Sequence, residues 1–170
     1  MSESLVEMFR HNAWANQCLF DACEKLTDAE LDATLVGTFG SIRDTLVHIV
    51  GAQERYVAAL AETGPVSVFR EREPFRGIAE LRDGSRASGE ALIELAAQVQ
   101  SGASVMTAHR GVEYTLPVWL LFIQAINHAT EHRAQVAALL TQQSIEPPGM
   151  DGWTYHETRY GGDWSQLWAW

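Results

Sequence analysis

Four long segments of this chain repeat apolar residues every three or four positions, which is the spacing of one face of an α-helix. They cover about 4–25, 41–62, 78–100 and 117–143. No series of strands competes with them, and a long connection separates the second segment from the third. Four amphipathic helices of about 20 residues predict an all-α fold, a four-helix bundle.

Local signals refine this prediction at the ends of the segments. Thr27 followed by Glu30 is a capping box, which predicts a short helix after the first long one. Ser41 is a natural N-cap for the second long helix. Residues 103–117 alternate briefly in polarity around Gly111, which indicates a small hairpin-like excursion before the fourth helix.

The last twenty residues differ in composition from the rest. They hold four of the six tryptophans, and their sequence reads as loop. We therefore expect a helical domain over 1–157 and an aromatic C-terminal tail over 158–170. Such a tail must pack either on its own bundle or on a partner chain.

Composition excludes several classes of partner. The chain has 170 residues, 46% of them hydrophobic, and a formal net charge of −10. An acidic protein with a single lysine, Lys25, is a poor ligand for nucleic acid or for an anionic membrane. The N-terminus lacks the basic and apolar regions of a secretory signal, so we expect a cytoplasmic protein without membrane spans. Cys18 and Cys23 form no Cys-x-x-Cys site and are expected to be reduced, buried thiols.

The most informative motif is the pair His128 and His132 in the fourth helix. Residues four apart on a helix differ by about 40° in rotation and 6 Å in rise, so both imidazoles can reach one metal ion. The pair lies close to the apolar face of its helix, and both rings should point towards the bundle interior or its mouth. Hydrogen-bonded core histidines are the alternative, and the spacing alone leaves it open.

A metal site requires at least a third ligand. The other histidines are His11, His48, His109 and His156. His48 lies in the middle of the second helix among apolar residues, where a polar ring needs a polar partner. Because the second helix of a bundle can face the fourth, His48 is the best third ligand.

Two rival metal sites can be tested on the sequence. Di-iron carboxylate bundles need Glu-x-x-His, and that motif occurs nowhere in this chain. The segment His128–His132 does match His-x-x-Glu-His, in which Glu131 would be the general base of a zinc peptidase. That site would also need a later carboxylate. The candidates are Glu146, Asp151, Glu157 and Asp163.

Nearly the whole chain, to about residue 157, resembles the DinB/YfiT-like family of metalloenzymes. The resemblance rests on the N-terminal stretch that contains "TLVHI", on "NHATEHRAQ", and on the Pro, Asp and Tyr run that follows. It implies a four-helix bundle that holds zinc or nickel through His48, His128 and His132, often as a homodimer. Gln124 and Glu131 stand where many members carry further histidines.

Relatives of the family include enzymes that use low-molecular-weight thiols such as mycothiol or bacillithiol. The resemblance therefore implies a metal-dependent enzyme of thiol-transferase or isomerase type that acts on a small molecule. The closest alternative to this activity is hydrolysis by a metal-bound water. A non-enzymatic, metal-stabilised dimeric scaffold or binding module is the alternative from a different class.

Other residues are expected to support the site. Asp44 lies one turn before the histidine of the second helix and could accept its free ring N–H, or could be a solvated first-turn acid. Arg133 and Gln135 should make inter-helix hydrogen bonds. On family similarity alone, Tyr155 and His156 would lie over the mouth of the site.

Overall fold

The four predicted helical segments form the four long helices of the protein. The computed structural model describes residues 2–64, 70–109 and 111–162. In chain order the elements are α1 (Ser2–Cys23), α2 (Asp28–Leu31), α3 (Ile42–Leu60), a 3-10 turn (Arg70–Arg72), α4 (Ile78–Gln98), β1 (Ser104–His109), β2 (Val112–Pro117), α5 (Val118–Gln142) and α6 (Gly152–Tyr160). Each long helix begins and ends within about two residues of its prediction.

Local side-chain bonds begin two of the helices as the sequence predicts. The Ser41 side chain accepts from the Asp44 backbone N–H, and the Asp44 carboxylate accepts from the Ser41 N–H in return. Thr27 and Glu30 form the same reciprocal box at the start of α2. Both boxes satisfy backbone donors that a helix leaves free at its first turn.

The long helices are arranged in a ring in which each packs against two others. Helix α1 contacts α4 and α5, and helix α3 also contacts α4 and α5. Helix α4 runs through Gly89 without interruption. A Cβ at Gly89 would lie 3.2 Å from that of Ala13 on α1, so the glycine allows these two helices to pack closely. The predicted all-α class is therefore confirmed.

The apolar interior is divided into two clusters along the helix axes. One cluster includes Phe20, Leu46 and Leu139, and the other includes Phe9 and Phe122. In every long helix the positions between the two clusters carry buried polar side chains. These are Asn12 and Asn16 on α1, Gln53 on α3, Ser85 on α4, and His132 and Arg133 on α5.

A hydrogen-bonded polar layer connects the helices at this level. The Arg133 guanidinium donates to the side-chain oxygens of Asn12 and Asn16, each at 2.7 Å. Asn16 in turn donates to Gln53 at 2.8 Å, and Ser85 donates weakly to the same oxygen at 3.4 Å. The predicted inter-helix bond of Arg133 is thus confirmed. Burial without a carboxylate partner lowers the pKa of this guanidinium to about 10.

The hairpin-like excursion is also confirmed. Strands β1 and β2 pair antiparallel, from Ser104 opposite Pro117 to His109 opposite Val112. Gly111 closes the turn at a φ of 78°, a conformation that glycine adopts without strain. At the base of the hairpin, Val105 is buried in the cluster around Phe122.

The loop predicted after Met150 is wrong for residues 152–160, which form α6. The Asp151 side chain caps this helix by accepting the backbone N–H groups of Trp153 and Thr154. A short helix with one cap and little apolar periodicity is difficult to recognise in sequence. The proposed domain boundary at 157 falls inside α6 and stays a prediction, while Trp164, Trp168 and Trp170 lie outside the described residues.

No helix in the described part of the chain is both long enough and apolar enough to cross a bilayer.

Candidate metal centre

Three histidine rings meet where α3 packs against α5. His48 comes from α3, and His128 and His132 come from successive turns of α5. One nitrogen from each ring lies within 4.8 Å of the corresponding nitrogens of the other two. The ring centroids are 4.8 Å apart for His48 and His128, and 4.4 Å apart for His128 and His132. The structure therefore brings together the three side chains that the sequence singled out.

The outer nitrogen of His48 is bound by a carboxylate. Nδ1 of His48 lies 2.9 Å from Oε1 of Glu71, in the 3-10 turn between α3 and α4. A carboxylate only accepts hydrogen bonds, so the proton of the neutral His48 ring is on Nδ1. Nε2 of His48 is then free of hydrogen and faces the other rings.

The tautomer of His132 follows from an amide. Oε1 of Gln135 accepts the backbone N–H of Phe39 at 3.0 Å, which identifies that atom as the carbonyl oxygen. Nδ1 of His132 lies 3.0 Å from the same oxygen and must donate to it. In the neutral form of this ring, Nε2 of His132 is then free of hydrogen. Gln135 makes its predicted long-range bond to the loop before α3, not to another helix.

His128 differs from the other two. Its Nε2 lies 3.0 Å from Nε2 of His48, and no acceptor among the described residues faces its Nδ1. Burial, with the charges of His132 and His48, lowers the pKa of His128 to about 4. Burial also lowers the pKa of His48, although the hydrogen bond to Glu71 opposes that effect. Both rings are neutral at pH 7, as metal ligands must be.

A charged pair supports the Glu71 carboxylate. Arg55 donates through both terminal nitrogens, at 2.9 Å each, to the two oxygens of Glu71. Burial acts to raise the pKa of Glu71, but the hydrogen bonds from Arg55, the backbone and His48 outweigh it and lower the pKa. The carboxylate is therefore ionised at neutral pH.

Aromatic rings line the site. Phe39 stacks on His48 with centroids 4.0 Å apart and planes inclined by 10°, and its edge meets His132. Tyr56, two turns after His48, lies edge-on to His128 with centroids 6.1 Å apart. Burial raises the pKa of the Tyr56 phenol, which Gln124 partly opposes, so the phenol keeps its proton at neutral pH.

The donor set fits a divalent cation. Zinc binds imidazole nitrogen at about 2.0–2.1 Å, which places two ligands of one tetrahedral ion about 3.3–3.4 Å apart. The two Nε2 atoms of His48 and His128 are already 3.0 Å apart. Two of the three rings are also held with bare nitrogens towards the common centre. A His48–His128–His132 group of this kind could hold a metal ion.

Several predicted residues lie elsewhere. Nε2 of His11 pairs with the carbonyl oxygen of Met150 at 2.9 Å, away from the three rings. Tyr155 packs against Trp14 and His11 and donates to Glu7 at 2.6 Å, so its contacts are with α1 and the expected place over the site is wrong. The side chain of His109 lies outside the described residues.

The zinc-peptidase hypothesis requires a carboxylate as a further metal ligand. Glu131 is exposed on α5. In the described part of the chain, no carboxylate joins the three histidines as a candidate ligand. Asp163 lies outside that part.

The cysteines offer no nucleophile at the site. Both are free, and Cys18 is half-buried, less than expected, while Cys23 is buried. Burial raises the pKa of Cys23 to about 12, which keeps it a thiol at neutral pH.

Sequence reasoning missed Glu71 and assigned its possible role to Asp44. The Asp44 carboxylate is engaged with Ser41, so the His48 ring N–H is accepted by a residue 23 positions further on. One signal was present in the sequence. Gly51 follows His48 by one turn, and a Cβ there would lie 2.8 Å from Oε2 of Glu71. A helix-interior glycine beside a candidate ligand indicates that another group approaches closely.

Fold and site together define a helical protein with a three-histidine centre between two of its long helices. The DinB family model matches residues 1–165, and the chain belongs to the DinB family. The crystal structure of a DinB-like protein from Bacillus cereus is similar, with a TM-score of 0.67 and 18% sequence identity over 86% of this chain and 95% of that one. That likeness supports the fold. No curated protein matches the chain.

Proposed function

We propose that this protein binds a divalent cation through His48, His128 and His132 and acts on a small molecule as a metal-dependent enzyme. Zinc or nickel is the expected ion, and a thiol-transferase, isomerase or hydrolase is the expected type. The observation that carries the proposal is the convergence of three imidazoles from α3 and α5 on one centre. A homodimer in the cytoplasm stays a prediction.

Each neighbouring residue has a separate task in this proposal. A divalent cation held by three neutral imidazoles keeps its full charge and can lower the pKa of a water or thiol that binds it. Glu71 and Gln135 hold two of the rings. Phe39 covers one face of His48 and keeps water from it. The protonated phenol of Tyr56 can donate a hydrogen bond to a small molecule beside His128.

Elemental analysis of the purified protein tests the metal. We expect close to one equivalent of zinc or nickel in the wild type and a large loss in His128→Ala. His156→Ala, at an exposed position of α6 where the ring lies against Tyr160, is the matched control and should keep its metal. Less than about half an equivalent in wild-type protein never exposed to chelator would overturn the proposal.

Activity is tested separately on the loaded protein. A panel of transfer, isomerisation and hydrolysis reactions, with and without low-molecular-weight thiols, is compared between wild type and His48→Ala. Turnover that depends on His48 supports the enzyme. If metal binds but His48→Ala changes only the melting temperature, the chain is a metal-stabilised scaffold.

A further inference from the structure

Glu71 reaches the three-histidine centre from outside the two helices that build it. It belongs to the connection between α3 and α4, in the 3-10 turn Arg70–Arg72. Its side chain is only 26% exposed because its carboxylate turns inward to Nδ1 of His48. In the sequence around His48, Gly51 indicates only that some group approaches the helix there, and does not identify Glu71 as that group.

Three features fix the position of that carboxylate. The two terminal nitrogens of Arg55 each donate to one oxygen of Glu71, which is the bidentate geometry typical of a guanidinium and a carboxylate. Gly51 leaves the space that Oε2 occupies, since a Cβ would come within 2.8 Å of it. His48, Gly51 and Arg55 lie on successive turns of one face of α3. The helix therefore presents a ring to orient, a gap for the oxygen and a cation to hold the charge.

The hydrogen bond from His48 to Glu71 also determines which ring donates in the contact between His48 and His128. His48 gives its Nδ1 proton to Glu71, so its Nε2 can only accept. The 3.0 Å contact between the two Nε2 atoms then requires His128 to be the donor. In the metal-free protein, His128 carries its proton on the nitrogen that faces the centre, and His48 and His132 do not.

We infer that Glu71 is the positioning residue of the centre. It holds His48 in the Nδ1–H tautomer with Nε2 bare, so that cation binding requires only His128 to move its proton from Nε2 to Nδ1. This role rests on the proposed cation site. The tautomer in which Nε2 of His48 can bind a cation therefore depends on the α3–α4 connection, and not on α3 alone. Carboxylates that orient ligand histidines commonly raise metal affinity by about 10–100-fold.

Nitrogen NMR on protein labelled with ¹⁵N-histidine tests the tautomers without metal. In the wild type, His48 and His132 should show protonated Nδ1, and His128 should show protonated Nε2. Glu71→Ala should release His48 into a mixture of tautomers, whereas Glu73→Ala, two residues along the same connection, should leave it unchanged. A purely structural role for Glu71 would not move this signal. An unchanged His48 tautomer in Glu71→Ala overturns the inference.

Zinc binding gives the second readout. By competition with a chromophoric chelator, Glu71→Ala should bind zinc about 10–100-fold more weakly than wild type, and Glu73→Ala within about twofold of it. Zinc should shift the proton of His128 alone in the wild-type spectrum. Equal zinc affinity in the two alanine variants would contradict the role of Glu71.

Gly51→Ala is a variant that keeps Glu71 but displaces it. Alanine has a higher helix propensity than glycine, so we expect α3 to form in this variant. We expect zinc affinity to fall as the added Cβ pushes the carboxylate from His48. An unaltered affinity and an unaltered His48 tautomer would count against the inference. Failure of the wild type to bind zinc overturns the proposed function instead, and the metal-free spectra still decide the role of Glu71.

Discussion

Nε2 of His48 and Nε2 of His128 lie 3.0 Å apart, although eighty positions separate the two residues in the chain. Two neutral imidazoles at this distance share one proton, and a cation between them would replace it. The contact brings a pair of candidate ligands on one helix to a third candidate on another. Its environment, half-buried and lined by Phe39 and Tyr56, determines how the centre responds to acid and to substitution.

Acid should destabilise the metal-free protein between pH 7 and pH 5. Unfolded histidine takes up protons near pH 6.5, whereas folded His128 does so only near pH 4, and the pKa of folded His48 is also lowered. The unfolded state therefore binds more protons in this window, and stability falls as the pH falls. Urea unfolding at several pH values measures this change in the free energy of unfolding.

His128→Gln is the control for that dependence. It removes the histidine whose pKa is lowered to about 4 and should flatten the decline above pH 5. The carboxyl groups with lowered pKa, such as Glu71, titrate at lower pH than unfolded histidine and should affect both proteins alike. Parallel curves for wild type and variant in the upper window would refute the assignment to His128.

Gln135→Leu should weaken zinc binding by about 10–100-fold. The substitution removes the oxygen that accepts both the Nδ1 proton of His132 and the backbone N–H of Phe39. His132 is then free to rotate or change tautomer, and the loop that carries Phe39 loses its attachment to α5. Chelator competition measures the effect. Gln142→Leu, an exposed position on the same helix, should bind zinc as tightly as wild type, and a similar loss there would contradict the prediction.

Arg133→Met should lower the free energy of unfolding by about 3 kcal/mol, because it leaves the buried oxygens of Asn12 and Asn16 without a donor. The substitution also removes the desolvation cost of the buried Arg133 guanidinium, which offsets part of the lost stability. Urea denaturation at pH 7 measures it. Arg10→Met, which removes only an exposed pair with Glu7, should change stability by less than about 0.5 kcal/mol. Equal stability of the two variants would mean that the polar layer contributes little.

Much of the architecture could be predicted because it depends on residues close in sequence. Apolar periodicity located the long helices, and the capping box at Thr27 needs only residues three apart. The pair His128 and His132 shares a helix face by spacing alone. His48 followed from the general tendency of bundle helices to face one another, together with a polar ring in an apolar run.

The polar layer could not be predicted in the same way. Arg133 was expected to bond to another helix, but its partners Asn12 and Asn16 lie more than a hundred residues away. Helix α6 was missed because a nine-residue helix depends on one cap, at Asp151, and on packing against α1. Neither leaves a periodic pattern in the sequence.

By itself, the sequence determined the four long helices, the caps at Thr27 and Ser41, the hairpin and the pairing of His128 with His132, since these depend on backbone geometry and neighbours within one or two turns. Only the tertiary structure decided which group accepts the His48 ring proton. Asp44 was the nearer candidate, but its carboxylate completes the cap of α3, and the long connection brings Glu71 to the ring instead. Which carboxylate reaches a buried ring depends on the path of the chain between helices, and local periodicity does not encode that path.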